Sequence, residues 1–332
     1  MNDIITLDYG SGGKKTSSLI EELILPAFSN PALGELGDGA LVEGGERLVL
    51  SSDSFVVSPL FFPGGDIGKL SVCGTVNDIC MAGGEPKYLT FSLIIEEGMR
   101  TDDLKRIIDS AASTAARVGV KIVTGDTKVV DRGRGDGVYI NTAGVGLLRA
   151  PGLSPKNIRE GDAVILSGTA GDHGTAVMLA RDSALGGGVE SDCAPLNGLC
   201  AALWELGDSL RCTRDPTRGG VATTLNEFVE GTRFSVGLNE GDIPVRPSVA
   251  AACDMLGLDP LYCACEGRLL AVVAPDAAER AVALLRALPG GENAAVIGSV
   301  GALHGGRVAV RTALGGSRIL GKLTGAQLPR IC

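Results

Sequence analysis

Four aspartates stand where a fold could gather them: Asp38 in Gly37-Asp38-Gly39, Asp53 in Ser52-Asp53-Ser54, Asp78 in Asn77-Asp78-Ile79 and Asp126 in Gly125-Asp126-Thr127. Converging carboxylates suit a hard cation such as Mg²⁺, which in turn neutralises phosphate oxygens. Glycines beside them let the backbone approach a phosphate closely. Asp-Gly turns also arise without any ligand, so each aspartate taken singly reads as structural. Four of them in strand–turn settings within one domain point towards a metal–nucleotide site. Lys128 follows in Asp126-Thr127-Lys128, where a lysine can balance phosphate charge or, desolvated, move a proton. Glu266, in Cys265-Glu266-Gly267-Arg268, enters an apolar run, a setting that raises a carboxyl pKa and suits a base. For both, a solvated surface charge is the plainer alternative. The chain closes on Pro329-Arg330-Ile331-Cys332. A thiol there has no following chain to bury it, and thiolate character and exposure decide its reactivity. The tetrapeptide alone favours a frayed terminus, and a prenylation signal fits poorly because it needs three residues after the cysteine.

Two familiar nucleotide motifs fail on inspection. Gly65-Asp66-Ile67-Gly68-Lys69-Leu70 has Pro63 and Leu70 at positions where a Walker A loop needs Gly and Ser or Thr. Gly144-Val145-Gly146-Leu147-Leu148-Arg149 lacks the third glycine of a dinucleotide fingerprint. Gly10-Ser11-Gly12-Gly13-Lys14-Lys15 matches neither, and reads equally as a phosphate-covering arm or a mobile N-terminus.

With 332 residues, of which 45% are hydrophobic, the chain can build two cores. A net charge of −9 and 4% aromatics argue against nucleic acid and acidic membrane surfaces as partners. No apolar run is long enough to span a bilayer. Nine cysteines with no leader pattern at Met1-Asn2-Asp3-Ile4 predict a reducing cytoplasm rather than a disulfide framework. Cys73 and Cys80 read as core. Two histidines, His173 and His304, with Cys263 and Cys265 give weak support for structural zinc.

These residues must be positioned by alternating strand and helix patterns, a mixed α and β fold. Strands are predicted at Arg47–Ser52, Lys87–Ile95, Lys121–Thr124 (breaking at Gly125) and Tyr139–Leu148. Helices are predicted at Asp66–Ala82 and from Thr101. Pro151, Gly152, Ser154, Pro155 and Asn157 crowd into a linker, which divides the chain into domains 1–150 and 151–315. The second domain restarts with a strand at Ala163–Ser167. Helices at Gly174–Ala180, Leu196–Leu206, Gly220–Glu230 and Pro247–Leu256 follow, then a strand at Arg268–Ala274 and a helix at Asp276–Leu288. Periodicity fades after Gly315-Gly316, so 316–332 is expected to be a flexible tail reaching up to roughly 50 Å.

Nearly end to end, the chain resembles the HypE family of hydrogenase-maturation proteins, within the PurM-like ATP-binding superfamily. The likeness rests on Gly10-Ser11-Gly12-Gly13 and on Ser52-Asp53-Ser54-Phe55 through Gly64-Gly65. It continues in Gly74-Thr75-Val76-Asn77-Asp78, Thr124-Gly125-Asp126-Thr127-Lys128 and Ile140-Asn141-Thr142-Ala143-Gly144. In the second half it is carried by Ser167-Gly168-Thr169 with Gly171-Asp172-His173-Gly174, by Arg214-Asp215-Pro216-Thr217-Arg218-Gly219-Gly220, and by the closing Pro329-Arg330-Ile331-Cys332. The resemblance implies a two-domain PurM-like architecture: an N-terminal sheet domain that pairs into a homodimer, and a C-terminal α/β sandwich. It implies that Cys332 accepts a carbamoyl group from a HypF-type carbamoyltransferase. ATP-dependent dehydration then yields a thiocyanate whose cyanide passes to a HypC–HypD complex.

By the same resemblance, Cys332, Lys128 and Glu266 are catalytic. Asp38, Asp53, Lys69, Asn77, Asp78, Gly125, Asp126 and Thr127 bind the nucleotide, with Mg²⁺ on Asp38, Asp53, Asp78 and Asp126. Gly12, Gly13, His173 and Arg218 are placed near phosphates. Tyr9 stands where the family commonly has histidine. Two other readings remain: a different PurM-like enzyme that phosphorylates an amide or small acceptor, and a non-catalytic nucleotide-binding scaffold.

Overall fold

The computed structural model describes residues 3–10, 14–34, 39–181, 188–323 and 330–332. Asp38, Gly12 and Gly13 lie outside the described residues. The first half begins with short helices α1 (Lys14–Leu19), α2 (Leu25–Phe28) and α3 (Pro31–Gly34). Then follow β1 (Leu48–Phe55), β2 (Phe61–Phe62), β3 (Gly65–Asp66), α4 (Ile67–Met81), β4 (Gly84–Glu96), α5 (Thr101–Val118), β5 (Lys121–Val130) and β6 (Val138–Leu148). Tyr9, 2% exposed, has its ring in the core.

The first sheet has the order β1-β6-β4-β5, with β4 and β5 parallel and the other pairs antiparallel. Side chains alternate between its faces. Thr142 is fully buried and its hydroxyl donates to the Ser71 carbonyl of α4, so its register partner Asp53 also faces α4. The opposite face carries Leu50, 72% exposed, and Ile94, 43% exposed. Along that face Ser54, Asn141, Ser92 and Asp126 pair in one row across all four strands. The strand expected to break at Gly125 runs on to Val130. Turn-forming residue types hid this, because cross-strand pairing with β4 outweighs local propensity.

Helix α4 is the centre of the molecule. It is buried on almost every side, as expected of a helix that packs against a sheet, a neighbouring helix and a second domain at once. Asp66 caps it: Oδ1 accepts from the Gly68 and Lys69 amides at 2.8 and 3.1 Å, and Oδ2 accepts from the Ser110 hydroxyl of α5 at 2.6 Å. At Gly74 any Cβ would press on the Phe55 ring at 2.8 Å. That close approach of α4 to β1 brings Asp53 and Asp78 together.

The second half contains β7 (Ala163–Leu166), α6 (Asp172–Arg181), α7 (Asn197–Trp204), β8 (Leu210–Arg214), α8 (Gly220–Val229), β9 (Ser235–Asn239), α9 (Pro247–Leu256), β10 (Leu270–Val273), α10 (Ala278–Arg286), β11 (Ala295–Gly301), β12 (Val308–Arg311) and β13 (Ser317–Leu320). Its sheet has the order β13-β12-β9-β11-β7-β10-β8. Strands β8, β9 and β11–β13 are additions to the elements that periodicity predicts. Residues 317–320, expected in the tail, form β13 against β12. Gly315 (φ +85°) and Gly316 make the intervening turn, and that turn mimics a loss of pattern.

One continuous apolar core joins the halves, running from α4 and the first sheet to α7 and α10. Polar contacts reinforce it: Thr213 Oγ1 donates to the Met81 carbonyl at 2.9 Å, and the Ser191 amide donates to the Pro63 carbonyl at 2.8 Å. No described helix is long and apolar enough to cross a membrane. Loss of the α4 cap in Asp66→Ala should cost about 1–2 kcal/mol, read as a lowered urea midpoint at unchanged slope. A wild-type midpoint would show that water replaces the cap at no cost.

Candidate active site

Where the halves meet, a cavity of about 330 Å³ is lined by Asp53, Asp78, Asp215, Arg218, Glu266 and Cys332, among others. Asp53 comes from β1 and Asp78 from α4, where Ser51 Oγ donates to Asp78 Oδ2 at 2.7 Å. Asp215 follows β8. Burial and the neighbouring Asp78 push the Asp53 carboxyl up to about 6, and the same two causes push Asp215 up to about 7. These carboxylates therefore sit close enough to repel one another.

Glu266 is only 2% exposed, and its Oε1 has no hydrogen-bond partner. Burial, then the negative charges of Asp215, Asp192 and Asp53, hold its carboxyl well above the usual range. The backbone fixes its position. The Glu266 amide donates to Asp192 Oδ1 at 3.1 Å, and its carbonyl accepts from Asn77 Nδ2 and the Ala194 amide, both at 3.3 Å. At Gly267 a Cβ would collide with the Asp192 carbonyl, so the turn after Glu266 requires glycine.

The chain's last three residues reach this cavity. Ile331 is 4% exposed and pairs with Val57 as an antiparallel bridge. The Ser58 amide and Arg181 Nη2 donate to the Arg330 carbonyl at 3.1 and 2.7 Å. His173 Nε2 lies 2.6 Å from the Ile331 carbonyl. Cys332 thereby lies against Glu266. Burial, then the Glu266 charge, raise the Cys332 thiol far above its usual pKa, while Arg218 pulls it down. The other eight cysteines are buried, with Cys73 and Cys80 in α4 as expected.

A second cavity of about 320 Å³ lies between the N-terminal helices and β5. Ile20, Ile24, Phe28 and Phe91 make it apolar, and Asp126, Thr127 and Lys128 form its polar side. Asp126 Oδ1 accepts from the Thr127 amide at 2.8 Å and from Lys128 Nζ at 3.2 Å. The two cavities are not neighbours within one protomer. Asp53 and Asp126 occupy opposite edge strands, three strand spacings or roughly 14 Å apart, and opposite faces of the sheet.

Of the residues that the sequence singles out, Asp53, Asp78, Arg218, Glu266 and Cys332 share the first cavity. Gly125, Asp126, Thr127 and Lys128 share the second. Asn77 is fully buried and uses its amide to tie α4 to the Ala194, Leu196 and Glu266 backbone, so it braces the site rather than lining it. Lys69 Nζ is taken by the Gly64 carbonyl at 2.8 Å. His173 grips the tail instead of facing the open cavity. Asp215 is a site residue that sequence reasoning misses, although its motif with Pro216, Thr217 and Arg218 carries part of the family resemblance. Burial next to Asp78 is what gives it significance, and sequence does not show burial. Among the described residues, no three His, Cys, Asp or Glu side chains form a ready-made metal cluster.

Comparison with known proteins fits this geometry. Residues 36–148 match the family model for the AIR synthase related protein, N-terminal domain, and residues 159–311 match that for its C-terminal domain. A carbamoyl dehydratase HypE from Rhizobium leguminosarum bv. viciae is 50% identical over 100% of this chain and 96% of its own. The chain belongs to the HypE family of carbamoyl dehydratases. A crystal structure of the hydrogenase maturation protein HypE in complex with ATP superposes with a TM-score of 0.94 at 47% identity, covering 98% of this chain and 99% of that one. HypE in a HypE–HypF complex superposes with a TM-score of 0.80 at 46% identity, covering 92% of this chain and 100% of that one. Within the HypE family, then, the buried Glu266 and the tail cysteine share one compartment in this chain.

Replacing Glu266 with Gln keeps the shape and removes the ionisation. A carboxyl whose folded pKa is raised adds stability below its unfolded value and loses it as pH rises towards the folded one. Wild-type Tm should therefore fall relative to Glu266→Gln between about pH 5 and pH 8. A constant gap in thermal unfolding across that range would show that the folded chain does not resist ionisation of Glu266.

Proposed function

We propose that this protein dehydrates an S-carbamoyl group on Cys332 to a thiocyanate at the expense of ATP. The cyanide so formed would become a ligand of the [NiFe]-hydrogenase iron centre. The carrying observation is Cys332 lying against a buried Glu266 whose Oε1 has no hydrogen-bond partner. Oxygen is a poor leaving group from a carbamoyl carbon, and phosphorylation turns it into phosphate, a good one. Completing C≡N also needs two N–H protons removed. A carboxylate desolvated like Glu266 holds a proton far more tightly than one in water, which suits that task. The sulfur of Cys332 anchors the carbon throughout, and Arg218 offsets the charge of anionic groups entering the cavity.

The donor set fits Mg²⁺. Asp53 and Asp78 are close enough to raise the Asp53 pKa, and Mg²⁺ typically takes one or two carboxylates together with phosphate and water. When bound, the ion would spread the charge of the transferring phosphoryl group. Asp53 and Asp78 would hold it, with Asp215 beside them. Asp126 is too remote within one protomer. The apolar second cavity offers room for a nucleoside, with Lys128 at its polar side.

The separation of the two cavities supports a homodimer. The open sheet face exposes Leu50 and Ile94 beside the Ser54–Asp126 row. Two copies paired on that face would cover this apolar surface and bring Asp126 and Lys128 of one copy towards the Asp53 and Asp78 of the other. A HypF-type carbamoyltransferase supplies the carbamoyl group in this scheme, a HypC–HypD complex accepts the cyanide, and the compartment is the cytoplasm.

Cys332→Ala should lose all cyanide formation while keeping ATP affinity within about twofold, roughly 0.4 kcal/mol. Mass spectrometry after incubation with carbamoyl donor and ATP checks this, and a carbamoyl or cyano adduct on any other residue would refute the assignment. Lys128→Ala and Glu266→Gln should each be inactive alone, yet regain measurable turnover when subunits are exchanged between them. Failure of the exchanged mixture would sink the shared site.

A further inference from the structure

Helix α6 does something that the dehydration chemistry does not by itself require. Two of its side chains, two turns apart, end on the last two backbone carbonyls before Cys332. His173 Nε2 is 2.6 Å from the Ile331 carbonyl, and Arg181 Nη2 is 2.7 Å from that of Arg330. Each contact is braced from behind. The Ser191 hydroxyl lies 2.8 Å from His173 Nδ1 and also accepts from the Cys193 amide at 3.0 Å. A carbonyl oxygen can only accept, so Nε2 carries the proton and donates to Ile331, and Nδ1 of the neutral ring accepts from the Ser191 hydroxyl. Arg181 Nε donates to the Ser58 carbonyl at 2.7 Å, tying the same guanidinium to the strip on which the tail lies. Phe62 packs edge-on against the His173 ring at 5.3 Å. Burial lowers the imidazole to about 4, against the pull of the Ile331 carbonyl, so it is neutral across the physiological range.

The tail shows the effect of being gripped. Arg330 adopts φ +53°, a left-handed conformation uncommon for a residue with a Cβ. Its side chain meets Asp136 at 3.1 Å. The Ile331 carbonyl belongs to the peptide unit that carries the Cys332 nitrogen, so fixing it fixes the base of the Cys332 side chain. Two rotations, φ about N–Cα and χ1, then remain to place Sγ.

We propose that His173 and Arg181 are positioning residues, a carbonyl latch on α6 that holds the Cys332 arm in the cavity and aligns its sulfur with Glu266. The proposal rests on the dehydratase reading only for its catalytic consequence; the latch itself is a property of the free protein. Breaking it should cost rate through lost alignment rather than lost chemistry.

The test uses thiol alkylation of the full chain without nucleotide or partner. Cys332 is the one thiol here that is not buried, so its iodoacetamide labelling, quantified on the C-terminal peptide at fixed pH, reports release of the arm. His173→Leu, which fills the space without a donor, should label at least about tenfold faster. His173→Gln, which keeps a donor at that reach, should label at the wild-type rate. Arg181→Met should also label faster, and it carries the test if His173→Leu does not fold. In turnover, His173→Leu should lower kcat with the KM for ATP unchanged, and Gln should rescue it. Wild-type labelling in folded His173→Leu or Arg181→Met would overturn the latch whatever the reaction proves to be. Faster labelling with undiminished turnover would overturn the part of the proposal in which the latch aligns the sulfur for turnover.

Discussion

A carboxyl group buried without a hydrogen-bond partner for one oxygen is costly, and more so if it ionises. Glu266 is such a group, and it sits where the two halves of the chain meet. Its backbone is held by contacts to Asp192, Asn77 and Ala194, which fix the point from which the side chain enters the cavity. Much of the surrounding structure follows from that constraint. Asn77 is buried in α4 because it must span from the first half to the Glu266 backbone. Gly267 is glycine because the turn runs against the Asp192 carbonyl. The continuous core between α4 and α7 keeps the halves from sliding apart and wetting the site.

The same desolvation governs the sulfur. Cys332 in this position is a poor thiolate, because burial and the Glu266 charge both resist its ionisation. In the proposed reaction the thiol must ionise to take up a carbamoyl group, so loading and dehydration would ask for different environments. The tail is held by hydrogen bonds to two carbonyls, by the Val57–Ile331 bridge and by the buried Ile331 side chain; in the proposed reaction it would leave to be loaded and return for dehydration.

Separation of the acidic residues follows from sheet geometry. Strand order β1-β6-β4-β5 places Asp53 and Asp126 on opposite edges, and side-chain alternation turns them to opposite faces. Within one protomer, then, Asp53 and Asp78 share one cavity and Asp126 lines another. Strand β5 shows why: Gly125-Asp126-Thr127 has the composition of a turn, yet pairing with β4 carries it through as strand. The Gly315-Gly316 turn misleads in the other direction, since the fading pattern conceals β13.

Residue identities alone determined much. Alternating patterns pointed to the mixed α/β class, helical spacing of apolar residues located α4, α5 and α9, and the motifs with the closing cysteine pointed to the HypE family. These features are local, carried by residue type and short-range spacing. The burial of Glu266, the grip of His173 and Arg181 on the tail, and the part played by Asp215 belong to the tertiary structure. Each depends on contact between segments tens to more than a hundred residues apart, and desolvation is a property of what surrounds a group rather than of the group itself.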